Sequence, residues 1–546
     1  MFKQFLQDKI VRALDRTPFS PPEGQPEVEE PSGDEFGDYA SNIALVLGSQ
    51  SENNPREIAE TIVEEIDHEG IKHIQIAGPG FINFYLKSSL LSEALHKVLE
   101  RGKCYGASDV GRNQRIQVEF VSSNPTGPLT VGHGRQAVLG DILSSIYEKL
   151  GYRVSKEYYF NDEGRQMDLL AKTLWARYKQ ALGRDVEIPE EGYRGEYLVQ
   201  LGEEIAQEQG KRYLEWNEET AQVFKNIGLE EMIDRIQSDL EELGVEFDRW
   251  FRESKLHAEG AVEKTLSALR EKDALYEKDG AVWLKAEEEG APKDPVLIKS
   301  DGSPTYLLPD IAYHLDKLER GFDKAVVLLG ADHQRHVENM QAALRKLDFP
   351  ENFYEVYLSQ FVSLKQEGKI KRMSTRRGEF VTLRSLLEDL GRDVVRYFMA
   401  ARRPDSHLEF DYNLAKDRSM DNPVYYLQYA HTRIAGIFRE AENTPEELPS
   451  LKLNLEKLEE AEEQQLIKLL DKYPEVVERS GMEFAPHSLT KYAEDLAAAF
   501  HQFYNKHQVL TSDEELAKAR MALALSVQNV VRSVLGLLGV SAPSRM

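Results

Sequence analysis

The stretch Arg115-Ile116-Gln117-Val118-Glu119-Phe120-Val121, continuing through Ser122-Ser123-Asn124-Pro125-Thr126-Gly127-Pro128-Leu129-Thr130-Val131-Gly132-His133-Gly134-Arg135, decides the fold. Its first seven residues alternate. Ile116, Val118 and Phe120 share one face and Gln117 and Glu119 the other, which is the period of a strand. Prolines and glycines then bend the chain. From Gly134 to Leu150 the apolar residues Val138, Ile142, Leu143, Ile146 and Leu150 recur at helical spacing, and Gly151 supplies a stop. A second strand is expected from Tyr152. Farther on, Ala325-Val326-Val327-Leu328-Leu329-Gly330 is an all-apolar run suited to a strand buried on both faces, and a helix over His336–Leu347 follows it. Strand–turn–helix–strand units of this kind predict an α/β fold with a doubly wound parallel sheet.

On either side of this region the pattern changes. Residues 1–110 open with an amphipathic helix whose apolar positions are Phe2, Phe5, Leu6, Ile10, Val11 and Leu14. Helical patterns around Ala40–Leu47 and Pro55–Ile66 precede two strands joined by Gly78-Pro79-Gly80, so an N-terminal α+β module is expected. The alternating strands and helices occupy residues 111–410, and a long charged helical stretch at about 165–290 reads as an insertion into the sheet. From 411 to 546 only helical periodicity remains, over Val424–Phe438, Leu455–Arg479, Leu489–Lys506 and Leu516–Leu538, with Pro474 placed to kink or end the second. This predicts a C-terminal all-α helical bundle.

Composition narrows the classes. The 546 residues carry 68 Lys and Arg against 94 Asp and Glu, a formal net charge of −26. Such a chain repels polyanions over most of its surface, so it is no generic nucleic-acid-coating protein, and any nucleic-acid contact needs local basic strips. The one cysteine, Cys104, excludes a disulfide framework and a multi-cysteine zinc site within the chain. No stretch reads as a secretory signal or as an uninterrupted apolar span, so no membrane partner is expected and a cytoplasmic location is.

The common phosphate-loop, Gly-x-Ser-x-Gly and His-Glu-x-x-His motifs are missing, and Gly132–Ala137 matches only the looser dinucleotide turn ending in alanine. Four segments remain that could carry chemistry. Gly132 and Gly134 let a ligand approach the backbone at a helix start, where free N–H groups attract phosphate, and His133 adds a ring nitrogen. The same residues also suit a tight turn with a capping histidine. Around Lys369-Ile370-Lys371-Arg372-Met373-Ser374-Thr375-Arg376, the span Lys365–Arg403 has eleven Lys and Arg against five Asp and Glu. A basic loop of this kind can close over a triphosphate or touch a nucleic-acid backbone; an exposed basic loop has the same composition. Gly330-Ala331-Asp332-His333 follows the buried strand at its carboxyl end, where Asp332 could accept from a ribose hydroxyl. Tyr306 and Asp310, with Glu119 and Asn124, would suit a cationic substrate if they converge, since a guanidinium prefers planar carboxylate partners. Turn-forming aspartates beside Gly and Pro are the plainer alternative. A metal reading of Asp332, His333 and His336 is the lesser alternative, since their spacing lacks a matching distant pair, and no metal is expected.

Together these segments resemble the class I aminoacyl-tRNA synthetases. The turn ending Val131-Gly132-His133-Gly134 is similar to their first ATP motif, and Arg372-Met373-Ser374-Thr375-Arg376 to their second. Val118–Pro128, Asp301–Tyr313, Gly330–His336, Asp421–His431, Ala77–Asn83 and Ser541–Met546 resemble arginyl-tRNA synthetases specifically, and the likeness covers essentially the whole chain. It implies a Rossmann-type catalytic domain, an N-terminal module touching the tRNA elbow and a C-terminal helical anticodon-binding domain. It implies an arginine–tRNA ligase that joins L-arginine to tRNA(Arg) through arginyl-adenylate. Its substrates would include ATP with Mg²⁺, and it would hold no permanently bound metal and have no editing domain. A monomer is expected. By resemblance, Glu119, Ser122, Asn124, Tyr306 and Asp310 hold the arginine. Asn124, Pro125, Thr130, Gly132, His133, Gly134, Gly330, Asp332, Met373 and Ser374 serve ATP. His133 meets developing charge, and Lys369, Lys371, Arg372 and Arg376 are the candidates for the cation that meets the leaving pyrophosphate. The sequence departs from the motifs in two places. Thr130 stands where the first histidine of the first motif would be, and in the second Arg372 and Thr375 replace the two lysines. The runner-up readings are a class I enzyme for cysteine or glutamate and a non-catalytic tRNA-binding paralogue. The lone Cys104 argues against a cysteine enzyme's zinc site, and retention of His133, Asp310 and the Met373-Ser374 loop against a dead one.

Overall fold

A computed structural model describes residues 1–21, 24–31, 33, 36–51, 53–366, 369–371, 381–441 and 444–546. At its centre lies the strand Arg115–Glu119, paired in parallel with Arg153–Phe160 on one side and Lys324–Gly330 on the other. Arg249–Arg252 and Tyr354–Ser359 extend the sheet at its two edges, again in parallel. The chain therefore lays down three strands outward in one direction, then returns to build the other side. Connections diverge between Glu119 and Gly330, which opens a crevice at the carboxyl ends of these two strands. Both faces of the sheet are covered: Ile116, Gln117 and Val118 are all buried, as are Ala325, Val326, Val327 and Leu328.

The doubly wound parallel sheet matches expectation, with local differences that have physical causes. The first strand ends at Glu119, not Val121, because Val121 and Ser122 adopt φ of +68° and +37° and turn the chain out of the sheet. The next helix starts at Val131, three residues earlier than its apolar spacing suggests, because Thr130 caps it. Gly140, inside that helix, lets it lie on Phe120; a Cβ there would stand 2.2 Å from the ring.

The stretch at 165–290 is not one helical insertion. Arg165–Ala181, Glu196–Gln209 and Glu218–Leu243 are helices, but Arg249–Arg252 is the sheet's own edge strand. Leu275–Lys278, Ala281–Leu284 and Val296–Ile298 then form a small antiparallel sheet. Strands of three or four residues are too short to display a period of two against a helical background.

In the N-terminal region, the helix Phe2–Leu14 packs with a three-stranded antiparallel sheet in the order Tyr39–Ser41, Phe81–Leu86, Ile71–Ala77. The C-terminal bundle comprises Pro423–Glu440, Ala461–Met482, His487–Lys506 and Glu514–Leu538. Leu455–Lys457 is a separate short turn, and Pro474 lies inside its helix without ending it. Glu514–Leu538 is long and apolar enough to cross a membrane, but most of it is buried within the bundle.

Gly140→Ala is expected to cost about 1–3 kcal/mol by overpacking against Phe120. Thermal unfolding should show the midpoint lowered by several degrees; an unchanged midpoint would mean that the helix and ring can separate freely.

Candidate active site

The left-handed turn at Val121 and Ser122 aims the chain across the crevice mouth. Ser122 Oγ accepts from the backbone N–H of Tyr159 (3.1 Å), and the Asn124 side chain donates to Gln166 Oε1 (2.8 Å). Opposite, the helix Leu307–Glu319 carries Asp310 in its first turn, with Tyr306 at its N-cap. Asp310 Oδ2 meets His336 Nε2 at 2.8 Å, and the exposed Tyr306 ring lies 5.3 Å from the His336 ring. His336 Nδ1 is buried with no partner among the described residues. Glu119, Ser122, Asn124, Tyr306, Asp310 and Asp332 all line one cleft of about 1650 Å³. Every residue expected to hold the amino acid thus converges on one cavity.

Of the residues expected on the nucleotide side, Asn124 and Asp332 line this cleft, whereas Pro125, Thr130, Gly132, His133, Gly134 and Gly330 do not. Thr130 Oγ1 accepts from the His133 N–H, and His133 Nδ1 accepts from the Thr130 N–H (3.3 Å), a reciprocal cap. With Nδ1 accepting, the ring proton of neutral His133 belongs on Nε2. His133 is half-buried, and the protein packed about it holds its pKa down to about 4, so the ring is a neutral donor at physiological pH. A Cβ on Gly132 would meet only Thr130 Oγ1, at 3.6 Å, whereas one on Gly134 would come within 2.8 Å of Leu383. Gly132 therefore suits ligand approach and Gly134 suits packing. Pro125 is buried in the turn. At Gly330 a Cβ would meet Asp332 Oδ1 at 2.7 Å and Gln136 Nε2 at 3.7 Å, so the start of the His133 helix touches the Asp332 turn.

Of the basic loop, Lys369–Lys371 forms a short strand antiparallel to Val362–Gln366. Arg372, Met373, Ser374 and Arg376 lie outside the described residues. The chain leaving the loop is anchored to the His133 turn: Thr382 bridges Thr130, and Leu383 N–H donates to the Leu129 carbonyl (2.8 Å). The fully buried Arg135 donates to the carbonyls of Gln360, Arg403 and Ser406, fixing the same helix to the loop's other flank.

Two charged groups escaped the sequence reading. Glu253, buried at the carboxyl end of the edge strand, lines the cleft and accepts from Tyr159 Oη (2.7 Å). Burial pushes its pKa up against that hydrogen bond, and the Asp310 charge adds to the rise. Lys317, fully buried, places Nζ 2.6 Å from Glu119 Oε2. Glu119 is therefore not the bare carboxylate that the sequence suggested, nor is Asp310, which faces His336. The hydroxyls of Tyr159 and Tyr354 are held well above their usual range, first by burial and then by Asp310 and other carboxylates of the cleft. The cavity is a negative one, suited to a cation. The strand-end rule would have found Glu253 had the strand before it been legible, and Lys317 shares a helix face with Asp310, seven residues on.

Three family models match the chain: the arginyl-tRNA synthetase N-terminal domain over residues 4–86, the catalytic domain of class I (R) tRNA synthetases over 94–412 and the DALR anticodon binding domain over 427–546. The chain belongs to the arginyl-tRNA synthetase family. It is 48% identical to the arginine–tRNA ligase of Thermotoga maritima, over 95% of this chain and 96% of that one. To that of Geobacillus thermodenitrificans it is 44% identical, over 100% and 99%. The Thermus thermophilus arginyl-tRNA synthetase shares the fold over the full length of both chains, with a TM-score of 0.78 at 22% identity. Within the arginyl-tRNA synthetase family a threonine at position 130 has a clear local role here, as the N-cap of the motif helix.

His133 is expected to titrate near pH 4, remaining neutral from pH 6 to 8, which histidine ring NMR on the full chain would read. Because its folded pKa lies below the unfolded one, the stability it contributes is complete above about pH 6.5 and is lost as pH falls towards 4. A midpoint near 6.5 would show the ring to be solvated.

Proposed function

We propose that this chain is an arginine–tRNA ligase that activates L-arginine with MgATP and esterifies it to the 3′-terminal ribose of tRNA(Arg). The convergence of Glu119, Asp310 and Glu253 on one cleft at the switch point of a parallel sheet carries the reading. A guanidinium fits such a cavity. The second carboxylate of a glutamate substrate would meet charge of its own sign, and no cysteine other than Cys104 is available for a thiolate metal site.

Glu119 and Asp310, with Tyr306, take the guanidinium, while Ser122 and Asn124 orient the other end of the substrate. Asp332 and the backbone at Gly330 and Gly132 serve the nucleotide. An oxygen of the arginine carboxylate attacks the α-phosphorus, the bond to the bridging oxygen breaks, and pyrophosphate leaves. The terminal ribose hydroxyl then attacks the activated carbonyl, loses its proton and displaces AMP. The protein's part is positioning and charge stabilisation. His133 donates from Nε2 to a phosphate oxygen, and the cations among Lys369, Lys371, Arg372 and Arg376 meet the leaving pyrophosphate. Residues 1–110 contact the tRNA elbow, and the bundle from 411 reads the anticodon. The enzyme acts as a cytoplasmic monomer without an editing domain, because a site built on hydrogen bonds rejects smaller amino acids by about 10⁴–10⁵ unaided.

Charging assayed with each of the twenty amino acids in the presence of tRNA tests the reading: arginine alone should become esterified, and esterification of none would refute it. Asp310→Asn is expected to raise the arginine KM far more than the ATP KM; equal changes would remove Asp310 from the arginine site. His133→Ala is expected to slow single-turnover activation by about a hundredfold or more, the usual loss of one such donor.

A further inference from the structure

The Glu119–Lys317 pair is built more elaborately than a structural ion pair needs. Lys317 is 0% exposed and projects from the third turn of the Asp310 helix towards the end of the central strand. Its Nζ donates to Glu119 Oε2 (2.6 Å), lies over the Tyr313 ring (4.2 Å to the centroid) and approaches His314 Nε2 (3.4 Å). His314 Nδ1 donates in turn to the Asp310 carbonyl (2.8 Å), which leaves Nε2 as an acceptor for the ammonium. Burial and the neighbouring Lys317 hold His314 well below its usual pKa, so it is neutral and does not compete for Glu119. A continuous chain of contacts thus runs from the backbone of Asp310 through the buried His314 and Lys317 to Glu119, behind the wall of the cleft that Asp310 and Glu119 line. Glu119 Oε1 makes no hydrogen bond among the described residues, while Glu119 itself lines the cleft.

We propose that Lys317 is a positioning residue for arginine selection: it occupies one oxygen of the Glu119 carboxylate, keeps that group charged and leaves the other oxygen for the guanidinium of the substrate. The inference rests on the arginine ligase reading and deepens it. Deprived of its counter-ion, a carboxylate this deeply set at the floor of the cleft is biased towards taking up a proton. Its other neighbours cannot substitute. From the same helix come Tyr313, neutral His314 and the like charge of Asp310. From the adjoining strand come Glu157 and Tyr159, from the far strand Tyr354, and Arg320 is committed to Glu157. None offers Glu119 a free cation.

The test is steady-state charging by the full chain with tRNA across pH 6.5–9, comparing the wild type with Lys317→Met, the less disruptive Lys317→Gln and each combined with Glu119→Gln. Loss of the counter-ion disfavours the charged form of a buried carboxyl, and rising pH restores it. The single variants should therefore raise the arginine KM by about ten- to a hundredfold at pH 7, recover towards wild type by pH 9 and leave the ATP KM within about twofold. In the Glu119→Gln background the Lys317 substitutions should add nothing and show no such pH dependence. A rise that is flat with pH, a matching rise in the ATP KM or an unchanged arginine KM overturns the proposal. If the wild type itself fails to esterify arginine, the ligase reading falls, whatever the variants do.

Discussion

A carboxylate withdrawn from water persists only where cations or donors replace the lost solvation. The catalytic region meets that demand repeatedly, each time with a partner from a different element. Glu119 on the central strand is met by Lys317 of the Asp310 helix, and Glu157 on the next strand by Arg320 and Tyr313. Asp141, within the motif helix, is met by Lys156 and Arg396. Removing one partner of such a pair costs about 3–5 kcal/mol, a large share of a domain's net stability of about 5–15 kcal/mol. The pairs therefore lock strands to helices as well as neutralising charge, and the cleft inherits its geometry from them. An acidic pocket for a cation can then be kept open without unfolding the sheet that bears it.

The helix Val131–Lys149 joins that cleft to the rest of the molecule. Its first turn carries His133, its buried Arg135 donates to the carbonyls of Gln360 and Arg403, and its middle carries Asp141. Arg396, which pairs with Asp141, also donates to the Leu538 carbonyl at the end of the bundle's last helix and to the Leu243 carbonyl. Gly539 is required there, since a Cβ would collide with the guanidinium at 2.2 Å. At the helix's far end, Lys149 Nζ meets Ser533 Oγ of the bundle (3.0 Å). At about 1.5 Å per residue this single helix spans about 28 Å, so the histidine beside the cleft and the bundle share one rigid element.

Much of this was legible in the sequence because it follows local rules. The alternation in Arg115–Val121, the apolar run before Gly330 and the helical spacing beyond residue 411 each announce their element, and the sheet topology follows from the order of such units. Glu119, Ser122, Asn124, Tyr306, Asp310 and Asp332 come from separate segments, and the fold brings them to one cleft. What escaped is set by tertiary context. Arg249–Arg252 is too short to show its period, which hid both the edge strand and Glu253 behind it. Lys317 sits in an ordinary-looking amphipathic helix; nothing in its neighbours says that a lysine there is wholly buried. The two left-handed residues that end the first strand are a valine and a serine, not glycines, so no composition signal marks the turn.

The threonine at position 130 clarifies how the chemistry is divided. A helix start favours Ser, Thr, Asp or Asn because their side chains satisfy a free N–H, and Thr130 does this for His133. The exchange of histidine for threonine at the motif's first position thus gives up a ring nitrogen and gains a cap that fixes the remaining histidine. That histidine is neutral, so it contributes a directed hydrogen bond and no net charge. A local excess of Lys and Arg stands over residues 365–403, eleven against five Asp and Glu, in a chain whose net charge is −26. The helix whose cap is Thr130 is tied to that segment within it, through Thr382 and Leu383, and at its two borders, through the Arg135 bonds to the Gln360 and Arg403 carbonyls. The basic segment and the neutral histidine are therefore held by one scaffold.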